Sequence, residues 1–165
     1  MSYDIITFGS AAQDIYIKSG ALKVSGEGLC IAPDSKIDVE DVVFTSGGGG
    51  TNTAATFAKQ GFRTAFYGAI GADVSGLEII MELKHLRVGT RFIVKKKEKH
   101  TNYSIIMADS GTILVYRGAS EMVCSKDIKW RKVLTLENKM CNFSHQFFIS
   151  WRRTIKSANF FIIKH

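Results

Sequence analysis

Proline is nearly missing from this chain: Pro33 stands alone among 165 residues, which excludes a proline-rich linker protein. Cysteine is scarce too. Cys30, Cys124 and Cys141 are odd in number and widely spaced, with no C-x-x-C pair, so neither a zinc site nor a redox dithiol is indicated and packed free thiols are expected. No apolar run approaches the roughly 20 residues needed to cross a bilayer. The opening Met1-Ser2-Tyr3-Asp4 lacks a basic region followed by an apolar stretch, so no secretory leader is expected and the expected compartment is the cytoplasm. The four histidines, His85, His100, His145 and His165, show no metal-ligand spacing; no metal site is expected, and none is a catalytic candidate.

What is present suits one globular domain with a real core. Hydrophobic residues make up 45% of the chain and aromatics 11%, ordinary values that exclude wholesale disorder. The formal charge of +7 is unevenly placed. Residues 1–128 carry 14 basic and 14 acidic residues, whereas 129–165 carry eight basic residues against Glu137 alone. A basic face on a folded domain would point to nucleic acid; here the excess belongs to the tail, and neither nucleic acid nor membrane is an expected partner.

The pattern along the chain alternates strand and helix. Tyr3 to Phe8 reads as a buried strand ending at Gly9, and Asp14 to Lys18 as a half-exposed one. Residues 19–41 read as loop with short strand pieces, and Val42 to Thr45 as a strand entering Ser46-Gly47-Gly48-Gly49-Gly50. Alanine-rich Asn52 to Gln60, followed by Gly61, reads as a helix. Arg63 to Ala69 returns to strand. Asp73 or Ser75 opens a second helix, with Leu77, Ile80, Met81 and Leu83 to Leu86 as its apolar stripe. Arg91 to Val94 and Asn102 to Ala108 read as strands, and Asp109-Ser110-Gly111 turns into Thr112 to Tyr116. Lys95 to Lys99 reads as a solvated hairpin tip. The order implies an α/β fold with a parallel sheet and an added small β layer.

A strand feeding four glycines and then a helix is a place where backbone approaches a ligand and amides face it. A Walker loop would need Gly-Lys-Ser/Thr, but Gly50 is followed by Thr51-Asn52. G-x-G-x-x-G fails in both registers, because Gly47 and Gly49 lead to Asn52, and Gly48 and Gly50 to Thr53. Asn52 offers both donor and acceptor, which suits hydroxyls better than phosphate.

Gly47 to Ala54, Gly61, Gly68-Ala69-Ile70-Gly71-Ala72-Asp73 and Gly76, together with Gly9 to Asp14 upstream, resemble the ribokinase-like, pfkB-type carbohydrate kinases over residues 3–130. Thr101 to Ser104 and Arg117 to Ser120 fall where that family has lid strands and the loop after them. The resemblance implies a ribokinase-like fold, a partial Rossmann-type parallel sheet with helices and a small β-strand lid, lacking the C-terminal half. It implies substrate contacts from Asp14, Gly48, Gly49 and Asn52, with Asn102 and Ser104 as candidate lid contacts, alongside Thr101. A carboxylate accepts two hydroxyl hydrogens, which fits Asp14 to a vicinal diol; Asp73 reads as a helix cap.

The same resemblance implies ATP-dependent phosphoryl transfer to a sugar or nucleoside hydroxyl, with ATP and Mg2+ as cofactors and a homodimer through the lid. The family's base sits in a Gly-Ala-Gly-Asp motif, and no such run occurs in these residues; the last glycine is Gly118. Residues 1–130 therefore read as the substrate-binding part, inactive alone and without the nucleotide and metal sites. Residues 131–165 read as an atypical basic, aromatic tail, frameshifted or poorly ordered. The alternatives are a non-catalytic sugar- or nucleoside-binding remnant and, ranked behind it, a nucleic-acid binder acting through the tail.

Overall fold

The computed structural model describes residues 3–22, 24–26, 28–29, 31–124, 127 and 140–143. In chain order the strands and helices are β1 (Ile5–Phe8), β2 (Ala12–Lys18), β3 (Val24–Ser25), β4 (Gly28–Leu29), β5 (Asp41–Gly47), α1 (Gly49–Lys59), β6 (Thr64–Gly71) and α2 (Val74–His85). Then follow β7 (Gly89–Lys96), β8 (Asn102–Met107), β9 (Thr112–Tyr116), a 3-10 turn (Ala119–Met122) and β10 (Met140–Phe143). They form a parallel sheet of order β10-β1-β6-β7, a mixed sheet of order β5-β2-β8-β9, and the small β3-β4 hairpin.

The parallel sheet carries the core. Every residue of β6 is buried, as expected of a strand covered on both faces. On one face α1 and α2 pack Ala54, Ile79 and Leu83 against Phe66 and Ile70, each large side chain contributing about 1.5–3 kcal/mol by leaving water. On the other, Phe8 stacks on Tyr67 at 5.2 Å and Tyr67 on Phe92 at 6.3 Å. The Tyr67 hydroxyl donates to the Asp127 carbonyl, and burial, with the Asp127 and Cys124 charges behind it, pushes that phenol well above its usual range.

Several sequence expectations need correction. The α2 stripe is correct in part: Leu83 is in the core with Ile80 and Leu86 packed against it, but Ile79 joins them, while Leu77 and Met81 are 51% and 69% exposed. Residues four apart share a helix face, and the pair at 79 and 83 occupies the inner one. Lys95 to Lys99 is not a hairpin tip, because β7 and β8 belong to different sheets; Lys96 instead pairs with Asp127 at 3.0 Å. Cys124 is free but exposed, not packed; Cys30, His145 and His165 lie outside the described residues. Met140–Phe143, within the segment read as a tail, runs parallel to β1 from Ile5 opposite Met140 to Phe8 opposite Phe143. A four-residue strand has too little length to display a period.

The two larger sheets are tied at the start of α2. Asp73 caps that helix by accepting from the Gly76 amide at 2.9 Å. It also accepts from the Thr101 amide at 2.8 Å and hydroxyl at 2.6 Å, just before β8, and lies 3.4 Å from His100 Nδ1. The Thr101 hydroxyl oxygen in turn accepts from the Gly71 amide. Burial pushes the Asp73 carboxyl up, but the bonds from Thr101, Gly76 and His100 outweigh it and hold its pKa below the ordinary carboxylate value.

A depressed folded-state pKa stabilises above the unfolded value, and that stabilisation is lost as pH falls through the carboxylate range. Asp73→Ala is expected to cost about 2–3 kcal/mol near neutral pH. Urea unfolding should show the gap between parent and variant narrowing on acidification below about pH 4; a gap that stays constant with pH contradicts the role given to this carboxylate.

Candidate functional site

The glycine turn is shaped by the chain junction it presses against. Residues 9–11 link β1 to β2, and Gly48 lies over them with φ 103°. A Cβ on Gly48 would fall 2.5 Å from the Ser10 carbonyl oxygen and 2.9 Å from the Ala11 Cα. Only glycine fits this approach at this backbone angle.

The turn is then fastened. The Gly49 amide donates to Ser10 Oγ at 3.2 Å, and the Gly50 and Thr51 amides donate to the Ser10 carbonyl at 3.1 and 3.4 Å. The Asn52 amide donates to the Gly48 carbonyl at 2.9 Å. The Thr51 hydroxyl donates to the Gly47 carbonyl at 2.5 Å and lies 2.9 Å from that of Gly48. Of the amides from Gly48 to Asn52, only that of Gly48 finds no acceptor among the described residues. A phosphate chain needs several free, convergent amides, so the turn does not fit one. Nor do three or more His, Cys, Asp or Glu gather as a metal set among the described residues.

What remains open beside the turn is two side chains. Asp14 is half-buried on β2, and its side chain makes no hydrogen bond or ion pair among the described residues. Its carboxylate lies across Gly47 on the neighbouring strand: a Cβ there would fall 2.7 Å from Oδ1 and closer still to Oδ2. Gly47 therefore makes room for Asp14. Asn52 sits exposed in the first turn of α1. Ser104 lies opposite Asp14 in the parallel β2–β8 register, so both share one face of the second sheet.

The other candidates are committed elsewhere. Asn102 is buried, and its Oδ1 accepts from the Gly118 and Ser120 amides at 3.0 and 3.2 Å, holding the loop after β9. Thr101 is fully buried in the Asp73 network. The Gly49 amide is taken by Ser10, so Gly49 shapes the turn without offering that donor. Two residues stood in the quoted motifs without a role of their own. Ser10 anchors the turn, and Ser120 Oγ lies 3.1–3.4 Å from Ala11 N, Ala11 O and Ala69 O. Their partners are tens of residues away, and no spacing rule reaches that far.

A family model described as pfkB family carbohydrate kinase matches residues 3–146. The chain belongs to that family. No curated protein matches it, but solved structures do. A ribokinase from Giardia lamblia superposes with a TM-score of 0.71 at 21% identity, covering 86% of this chain and 44% of that one. An Arabidopsis thaliana ribokinase complexed with ribose and ATP gives 0.67 at 22%, covering 88% and 46%. An adenosine kinase from Schistosoma mansoni in complex with adenosine gives 0.68 at 16%, covering 87% and 47%. The fold is thus ribokinase-like α/β, and the chain spans less than half the length of these structures. The family match continues past the boundary near residue 130 and takes in β10.

Adjacent glycines should fail differently. Gly48→Ala meets backbone at a left-handed φ and is expected to cost about 1–3 kcal/mol of stability. The nearest atoms Gly47→Ala meets are the end of the Asp14 side chain, so it should cost less while displacing the carboxylate. Denaturant unfolding of both variants checks this; equal losses would contradict the contacts described.

Proposed function

We propose that this pfkB-family chain supplies the acceptor side of ATP-dependent phosphoryl transfer to a sugar or nucleoside hydroxyl. The observation that carries this reading is the Asp14 carboxylate, unpaired and laid over Gly47 at the edge of the fastened glycine turn. An acceptor-only group fixed in that way takes two hydroxyl hydrogens of a vicinal diol. Asn52, at the start of α1, adds one donor and one acceptor for a further hydroxyl. Gly48 and Gly49 bring the backbone close, and the Gly48 amide is a free donor. Ser104 shares the Asp14 face of the second sheet and is proposed as a contact from above. Asn102 acts by holding the Gly118–Ser120 loop.

The substrate class is supported by the ribose- and adenosine-bound relatives, and the nucleotide by the ATP complex. Phosphoryl transfer needs positioning and charge stabilisation around the moving phosphate. In this reading the described residues hold the acceptor end; ATP and Mg2+ belong to elements other than the glycine turn, where only the Gly48 amide is left without an acceptor among the described residues. The resemblance places the base in a Gly-Ala-Gly-Asp motif that these 165 residues do not contain, so turnover by this chain alone is not expected. A homodimer through the second sheet belongs to the same proposal. Its outer strands expose Val43 and Phe44 on one edge and Leu114 and Val115 on the other, apolar surface of the kind that marks an interface.

Calorimetry of the chain with ribose, fructose and adenosine, with and without ATP, tests the reading. Saturable binding of one acceptor is expected, weakened by about tenfold or more in Asp14→Ala, as loss of a charged hydrogen-bond partner requires. Binding that Asp14→Ala leaves unchanged would overturn the assignment, and ADP release would overturn the expectation of inactivity.

A further inference from the structure

The second sheet has two faces, and the one turned away from Asp14 holds a cavity of about 210 Å3 where it meets α2. Gln13 lines it. Neighbouring strand residues point to opposite faces, so this cavity and the acceptor site stand back to back on β2. Gln13 is only 4% exposed. Its Nε2 donates to the Thr45 carbonyl at 3.2 Å, while its Oε1 has no donor among the described residues. A buried carbonyl left so is costly, and native folds rarely leave one without reason.

The rest of the lining says what would satisfy it. Glu78 and Glu82, one turn apart on α2, stand at the rim, and neither has a cationic partner among the described residues. Glu82 Oε2 accepts from the Ser46 amide at 3.1 Å, which fixes it towards β5. Phe44 and Ile79 supply apolar wall. The lining therefore offers acceptors, two negative charges and hydrocarbon, with no cationic side chain. Water has about 30 Å3 of its own, so the space exceeds what one bridging molecule fills.

We infer that this cavity binds a small organic ammonium ion, a primary amine whose N–H groups donate to Gln13 Oε1 and the Glu78 and Glu82 carboxylates while its carbon chain lies on Phe44 and Ile79. An occupant joins β2 and β5 to α2, the seam between the second sheet and the helical layer. The assignment does not depend on the sugar site, since it uses none of that site's residues.

The test is a titration of the full chain, labelled with nitrogen-15, using butylammonium chloride. Tetramethylammonium chloride and potassium chloride at equal ionic strength serve as cations without N–H groups. Saturable shifts of the Gln13 side-chain amide are expected with butylammonium alone, and Gln13→Met and Glu78→Gln should each weaken them by about tenfold. Glu78 is exposed, so its variant decides the matter should Gln13→Met not fold. A non-saturating response, an equal response to all three salts, or unchanged affinity in Glu78→Gln overturns the inference.

Discussion

One close backbone approach sets the rest of this structure: Gly48 against Ser10 and Ala11. Residues 9–11 are where the chain leaves the parallel sheet and enters the second one. Gly48 is where it leaves the second sheet and enters α1. Pressing these two crossings together fixes the angle between the sheets and the direction of α1 at once. The Ser10 carbonyl, accepting from Gly50 and Thr51, turns a steric fit into a directed one. It also uses up amides that a phosphate would otherwise claim.

The second attachment lies beside the first, because β8 begins at Asn102 opposite Ala12 of β2. Asp73 and Thr101 fasten the start of α2 to the start of β8, and Asn102 with Ser120 closes the loop behind them. With both attachments made, Asp14 and Ser104 are held on neighbouring strands of one sheet, above the turn that presents Asn52. The polar groups outside the proposed acceptor site are structural for a clear reason: buried donors and acceptors must be paired, and the boundary between two sheets offers few backbone partners.

The α/β alternation, the glycine turn, the helix beginning near Asp73 and the hairpin at Asp109 to Gly111 were legible because each has a local signal. Period, capping and turn chemistry act within a few residues. The inward turn of Ile79 in place of Leu77 and Met81 was not, since all three are apolar and tertiary packing chose between them. The commitment of Asn102 to the Gly118 and Ser120 amides depends on a contact 16 residues away, and that of the turn to Ser10 on one 39 residues away. Asp14 was legible only through its family context. A lone acid on a half-exposed strand is otherwise an ordinary surface residue, and it is Gly47 beneath it that marks it out.

The most direct test of the central contact is native-state hydrogen exchange at the Gly50 amide. The account requires this amide, bonded to Ser10 at the meeting of the two sheets, to exchange as slowly as the core strands β1 and β6. Exchange as fast as at Lys36, an exposed loop residue whose amide has no acceptor among the described residues, would contradict it.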